Sequence, residues 1–487
     1  MPGVPTGRAC DACRKQKKKC DEQQPTCSRC ARLNVKCIGS GKQRFKFQEE
    51  KRFFTPELPR ANAKSEPRSA RQNVIAKPIQ HIYMHVPSGS PFPGPSNELT
   101  NLTTAFIRTI KRSTDLRYNM WWSFGTFLEE VPRRLGSNEA LDRAVDAVST
   151  AHRDFCTHRE ASTNALAKYS QALRTIRVYL DDKAYAQSSS TLCAVMILLI
   201  CQAFLGPSTQ GWSGHAEGAA AILKARKHFG PRDDFEKKLF LSMRGTVLFE
   251  GLFNNRIKLT PEEWTLLVKN DLDSHTLEGQ MLEYLSQAPD LIRRSKEALR
   301  TGYDTTSVRD EVWAIYQNCK TTLSSLQLRA SENIITELDI TQIPAREQPL
   351  VRSIMYAHYE RTYGLGLTIS LFFNCVLGGL GAHDGGSLFD ANYFAEEVLA
   401  LVDRSVIWRP VGAGYLILGC SAAWAATTDP LLRARLLVAI NDYGSDLRKR
   451  DPNFLIKELH WTAEHLRLGT RLGKEEYLHE MRETMSI

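Results

Sequence analysis

Cys10, Cys13, Cys20, Cys27, Cys30 and Cys37 fall within 28 residues, while the other six cysteines are spread over the remaining 459. Their spacing is one unit, C-x2-C-x6-C, written twice. Thiols this dense, in a chain that otherwise uses them sparingly, point to a metal. Tetrahedral zinc takes four ligands, so six sulfurs complete two zincs only when two of them bridge. The segment has no histidine, which disfavours the Cys2His2 arrangement, and iron–sulfur ligand runs are spaced differently. Buried free thiols are the bland alternative, and they give no reason for a doubled spacing. The opening MPGVPTGRAC puts Arg8 and Cys10 where a signal peptide holds an apolar core, so a reducing compartment is expected.

Charge is placed as unevenly as the thiols. Residues 1–52 hold 14 Lys and Arg against 5 Asp and Glu, which leaves +9 of the chain's +10 on one tenth of its length. That is the electrostatic footprint of a polyanion partner. At 487 residues the chain is too long for one typical core, so a small basic module joined to a large body is expected.

The doubled cysteine unit, the run Arg14-Lys15-Gln16-Lys17-Lys18-Lys19 and Pro25 just before Cys27 together resemble the Zn2Cys6 binuclear cluster of fungal transcription factors, over about residues 8–40. The resemblance implies two Zn2+, with Cys10 and Cys27 bridging, Cys13 and Cys20 completing one site, and Cys30 and Cys37 the other. It also implies a nuclear protein that binds double-stranded DNA. In that family the end of the first short helix enters the major groove and reads a CGG triplet, and here that end is Gln16, Lys17 and Lys18. Lysine can donate to O6 and N7 of guanine, so Lys17 is the first choice as base reader and Lys18 the next. Arg14, Lys15, Lys19, Arg29 and Lys36 are expected at phosphates, giving affinity without sequence information. Gln16 stands where the family commonly has a basic residue. Thr26 or Ser28 is expected to cap the second short helix, with Leu33 and Val35 as small apolar plugs. A module of this size buries too little surface to fold without its metal. Two zincs and six thiolates add −2, which keeps the segment near about +7.

The organisation expected is a flexible N-terminus (1–9), the cluster (10–40), a basic then proline-rich linker (41–98) and an all-helical regulatory body (99–487). Eight prolines fall in the 46 residues from Phe53 to Glu98, with no a/d repeat lasting even two heptads. Monomeric binding, or a homodimer formed through the body, is therefore expected over a coiled coil. His81 and His85 lack a third ligand and read as chance. In the body, Leu166, Tyr169, Leu173, Ile176 and Leu180 recur at helical spacing, with Lys168, Arg174 and Arg177 largely off that stripe. Thr260-Pro-Glu-Glu263 is a capping box opening a helix that carries Trp264. The apolar runs Thr191–Phe204 and Gly364–Leu380 are short for a membrane span and contain Gln202 and Asn374, so they read as buried core helices.

Three near misses bear on catalysis. Gly211-Trp-Ser213-Gly214-His215 has histidine where a nucleophile elbow needs glycine. Asp181-Asp182 and Asp233-Asp234 start like an aspartate-rich metal motif but continue to Tyr185 and Lys237, and the stretch from Asn441-Asp442 through Ser445 ends at Lys449 instead of a carboxylate. No enzyme activity is expected. Gln210–Arg226 resembles the middle regulatory region of the zinc-cluster regulators, some of which sense ligands; Trp212 and His215 read as core residues there. The reading is a DNA-binding regulator of RNA polymerase II transcription, of the pathway-specific metabolic kind, whose body meets the transcription machinery, coregulators or a small-molecule ligand, with no membrane partner. The alternatives are a helical ligand-binding or enzymatic protein carrying the cluster for localisation, and a corepressor scaffold whose cluster binds protein.

Overall fold

The computed structural model describes residues 5–6, 9–23, 25–38, 44–45, 97–111, 115–158, 161–205, 209–226, 229–302, 304–332, 343–345, 347–382, 384–447 and 452–469. Residues 46–96 of the expected linker, with His81, His85 and any heptad there, lie outside them, as do the side chains of Arg14 and Trp212. The chain divides into two units, Met1–Gly89 and Ser90–Ile487.

The first unit holds two short helices, α1 (Asp11–Lys15) and α2 (Ser28–Arg32), and a two-residue antiparallel ladder of β1 (Pro5–Thr6) with β2 (Arg44–Phe45). Pro5 faces Phe45 and Thr6 faces Arg44, so residues expected in a free N-terminus and a linker pair with each other.

Among its described residues the second unit is all helical. It opens with α3 (Glu98–Thr109), α4 (Met120–Phe124), a 3-10 segment (Thr126–Arg134), α5 (Glu139–His158), α6 (Thr163–Asp181), α7 (Lys183–Ala186), α8 (Ser189–Leu205) and α9 (Thr209–Lys224). It continues through α10 (Asp234–Phe253), α11 (Pro261–Val268), α12 (Leu277–Thr301) and α13 (Thr306–Glu332). Last come α14 (Gln348–Gly379), α15 (Gly385–Arg404), α16 (Leu416–Ala426), α17 (Pro430–Leu447) and α18 (Pro452–Leu466).

A helix apolar all round must be buried all round, and α8 is: every residue from Thr191 to Gln202 is buried, with α5, α6, α9 and α10 packed about it. The second centre is α14, against α13, α15 and α16. Among the described helices α14 is the one long and apolar enough to cross a membrane, yet 83% of its apolar window is buried within the body. A Cβ on Gly366 would come within 2.9 Å of Leu326 Cδ1 and 3.0 Å of Leu323 Cδ1, so a side chain there would have to displace the leucine ends by which α13 packs on α14.

The Thr260 capping box forms as expected, with Pro261 opening α11 and Trp264 buried. Helix α6 forms too, but its buried stripe differs from the apolar spacing. Leu166 and Leu180 are exposed, and Ala165, Ala172 and Ile176 are buried between Tyr169 and Leu173. Small residues let α6 lie close to α5 and α8, which leaves the leucines at either end outside the contact.

The most costly buried charges sit at the start of α10. Glu236, fully buried, meets Arg226 at 3.2 Å and Arg232 at 2.7 Å and accepts from Ser189 Oγ at 2.8 Å. Burial pulls its carboxyl up, but Arg232, Ser189 and Arg226 outweigh that and hold it below the usual carboxylate range. Glu236→Ala, which leaves Arg226 buried without its counter-charge, should destabilise the body by about 3–5 kcal/mol. Loss of the exposed cap in Thr260→Ala should cost only about 1 kcal/mol. Denaturant midpoints of the two variants check the order. With a lowered folded pKa, the Glu236 contribution is complete above the unfolded value of about 4.3 and lost as pH falls through the folded one, so Glu236→Gln should flatten that acid limb of the stability curve.

Candidate metal centre and nucleic-acid interface

The two halves of the small module are built alike, 17 residues apart. Cys10 Sγ accepts from Cys13 N–H and Cys27 Sγ from Cys30 N–H, each at 3.5 Å, so a sulfur sits at the start of each helix. Cys10 N–H in turn donates to Cys20 Sγ at 3.5 Å and Cys27 N–H to Cys37 Sγ at 3.4 Å, which brings the third cysteine of each unit back to the first. Both helices stop in the same way: Lys17 (φ 49°) and Asn34 (φ 48°) turn left-handed, and Lys18 N–H and Val35 N–H close onto Cys13 O and Cys30 O.

The cap of α2 is therefore Cys27, and neither Thr26 nor Ser28 takes that place. Ser28 is the first helical residue, and its N–H and hydroxyl both donate to the Asp21 carboxylate. The serine hydroxyl, with the two N–H bonds, keeps Asp21 below its ordinary pKa. Leu33 and Val35 do not plug the interior; they are 47% and 40% exposed. The reason is that sulfur already fills the interior. The core is Cys10, Cys13, Cys27 and Cys30, with Ala12, Cys20 and Cys37 against it.

The thiols gather in two sets, Cys10, Cys13, Cys20 and Cys27, and Cys10, Cys27, Cys30 and Cys37, with the sulfurs of each set within 4.8 Å of one another. Cys10 and Cys27 belong to both. Cys10 Sγ lies 3.7 Å from Cys27 Sγ and 3.5 Å from Cys30 Sγ, and Cys13 Sγ lies 3.8 Å from Cys27 Sγ. Such crowding splits the thiols' titration. The N–H of Cys13, helped by the neighbouring sulfurs, brings Cys10 down to about 6, while burial and bonding to Cys10 and Cys27 push Cys13 up to about 12. Sulfur in two sets of four sharing two members is the donor set of a pair of thiophilic divalent cations.

The cationic run is solvent-facing: Lys15, Gln16, Lys17, Lys18 and Lys19 are exposed, as is Lys36. Arg29, partly exposed, donates Nη2 to Gln16 Oε1 at 2.9 Å, a bond across the two halves that no sequence pattern announced.

Residues 8–46 match the family of the fungal Zn(2)-Cys(6) binuclear cluster domain. The small module is a zinc binuclear cluster domain. It takes two zinc ions, held by Cys10, Cys13, Cys20, Cys27, Cys30 and Cys37, and gives the chain a DNA-binding module of the fungal regulators. The helical body lies outside the match, and no curated protein and no solved structure matches the chain. In the body His215 is half-buried on α9, bonded to Tyr169 Oη at 2.8 Å and brought down to about 4 by burial. The near-miss motifs lie in ordinary structural places. Asp182 and Asp233 cap α7 and α10, Ser213 falls inside α9, and Asp442 pairs with Arg409.

Metal analysis of the purified chain should give two zincs, and chelator should unfold the small module while the body keeps its helical circular dichroism. Cys27→Ala should lower zinc content more than Cys37→Ala, because Cys27 serves both sets; equal losses, or a stoichiometry of one, would count against shared sulfurs.

Proposed function

We propose that the chain is a nuclear, sequence-specific regulator of RNA polymerase II transcription that reads CGG-type sites in the major groove through its zinc cluster. Its body governs output as a pathway-specific switch, through a second copy of the chain, a coregulator or a small ligand, and does no catalysis. The observation that carries the reading is the backbone at Lys17. A left-handed residue other than glycine costs roughly 1–2 kcal/mol, and asparagine, the residue type that tolerates it best, stands at the equivalent position 34. Glu22 (φ 58°) and Leu468 (φ 64°) are left-handed as well, so what supports a role for Lys17 is its place, exposed at the turn and in the middle of the cationic run. An ammonium at that point can donate to guanine O6 and N7. The caps and ion pairs made by the near-miss residues support a body without an active site.

Lys17→Ala should cost about 1–3 kcal/mol on the preferred duplex and relax preference at one base pair. Lys19→Ala should weaken all duplexes alike and lower the slope of log K against log salt by about 1. Equal losses on CGG-containing and scrambled duplexes for Lys17→Ala would remove it as the reader. Deleting residues 97–487 should leave half-site binding in a gel shift and abolish regulation of a reporter; normal regulation by the truncated chain would refute the division of labour.

A further inference from the structure

We infer that Gln16, clasped by Arg29, is a specificity-determining residue that meets DNA chiefly through its NH2 donors. The inference rests on the DNA-reading function proposed above and concerns the same surface.

Gln16 Oε1 accepts from Arg29 Nη2 at 2.9 Å. A guanidinium has donors and no acceptor, so the atom that meets it must be the amide oxygen, and the orientation of the carboxamide is fixed by chemistry. Glutamine reads adenine through a paired contact, its oxygen accepting from N6 while its nitrogen donates to N7. Arg29 takes one of the oxygen's two lone pairs and holds the amide by it, so the oxygen is a restrained and weaker acceptor for adenine N6. The NH2 group stays uncommitted to Arg29, and it suits edges that only accept, such as N7 and O6 of guanine, or a phosphate oxygen. Gln16 stands between Lys15 and Lys17 in the exposed cationic run, just ahead of the left-handed turn, so an amide that acts mainly as a donor continues the chemistry of its neighbours.

The clasp is one-sided. Seventeen residues on from Gln16 stands Leu33, and seventeen back from Arg29 stands Ala12, and neither side chain can make this bond. An interaction that the repeat does not require, reaching from Arg29 in the second half to the lysine-bearing run of the first, has no counterpart in the construction of the metal core.

The test uses the full-length protein and duplexes in which each base pair of the preferred half-site is varied in turn. Wild type, Gln16→Ala, Arg29→Ala, Arg29→Lys and the double variant Gln16→Ala/Arg29→Ala are compared, each with its zinc content measured. Wild type should show no adenine preference at the base pair whose selectivity changes in Gln16→Ala. Arg29→Ala frees the oxygen and should move that base pair toward adenine by roughly 5-fold or more. Arg29→Lys, which keeps a donor for the oxygen, should stay close to wild type, and the double variant should lose the shift. If Arg29→Ala fails to hold two zincs, Arg29→Met, which keeps the stem and removes the donors, makes the same comparison. No shift in these variants, a shift that persists in the double variant, or an adenine preference already present in wild type overturns the inference. Wild type that binds without any sequence preference overturns the proposed function with it, whereas a discriminating wild type with an unmoved Arg29→Ala overturns the clasp alone.

Discussion

Six sulfurs in two overlapping sets of four are the constraint on which the small module depends. Among the described residues its interior contains no leucine, valine or aromatic ring, only thiols and one alanine methyl group at their edge. Helices of five residues are far below the roughly 12–15 at which an isolated helix becomes even marginal in water, so propensity does not hold α1 and α2. They stand because a sulfur accepts from each first turn and a metal gathers the sulfurs. The same charge that the metal leaves uncancelled, two units negative, lies beneath the exposed lysines and offsets part of their mutual repulsion.

The body uses cysteine in the opposite way. Cys193, Cys375 and Cys420 are buried among apolar neighbours, and burial pushes each up to about 12, so these thiols stay protonated and behave as small hydrophobic groups. Dispersion and area burial around α8 and α14 replace metal as the organising force, and buried charge is admitted where partners converge on it, as at Glu236. One chain thus holds two solutions to the cost of folding, matched to domain size.

The cluster was legible because metal coordination acts on residue identity and spacing directly: six cysteines in a doubled unit leave few arrangements. The central helices were legible for a similar reason, since the run from Leu192 to Phe204 has no polar face to turn outward. Legibility failed where the interior was not what apolar spacing assumes. Leu33 and Val35 resemble core residues only if the core is hydrocarbon, and Cys27 escaped notice as a cap because serine and threonine are the usual ones. In α6 the contact runs along Ala165 and Ala172, residues whose smallness hides them from a count of large side chains. The Gln16–Arg29 bond joins positions related by no period, and only the fold brings them together.

The 17-residue repeat has a consequence for orientation. A metal core built from two equivalent halves has no inherent front, and either helix end could face a duplex. The surface decides the matter: Gln-Lys-Lys-Lys follows the first helix, while Leu-Asn-Val-Lys follows the second. The module therefore carries an arrow, and in the DNA reading proposed above that arrow fixes which way it lies on a duplex. Nothing in the cluster would set how two such arrows face each other. If two chains act together, that choice belongs to whatever joins them.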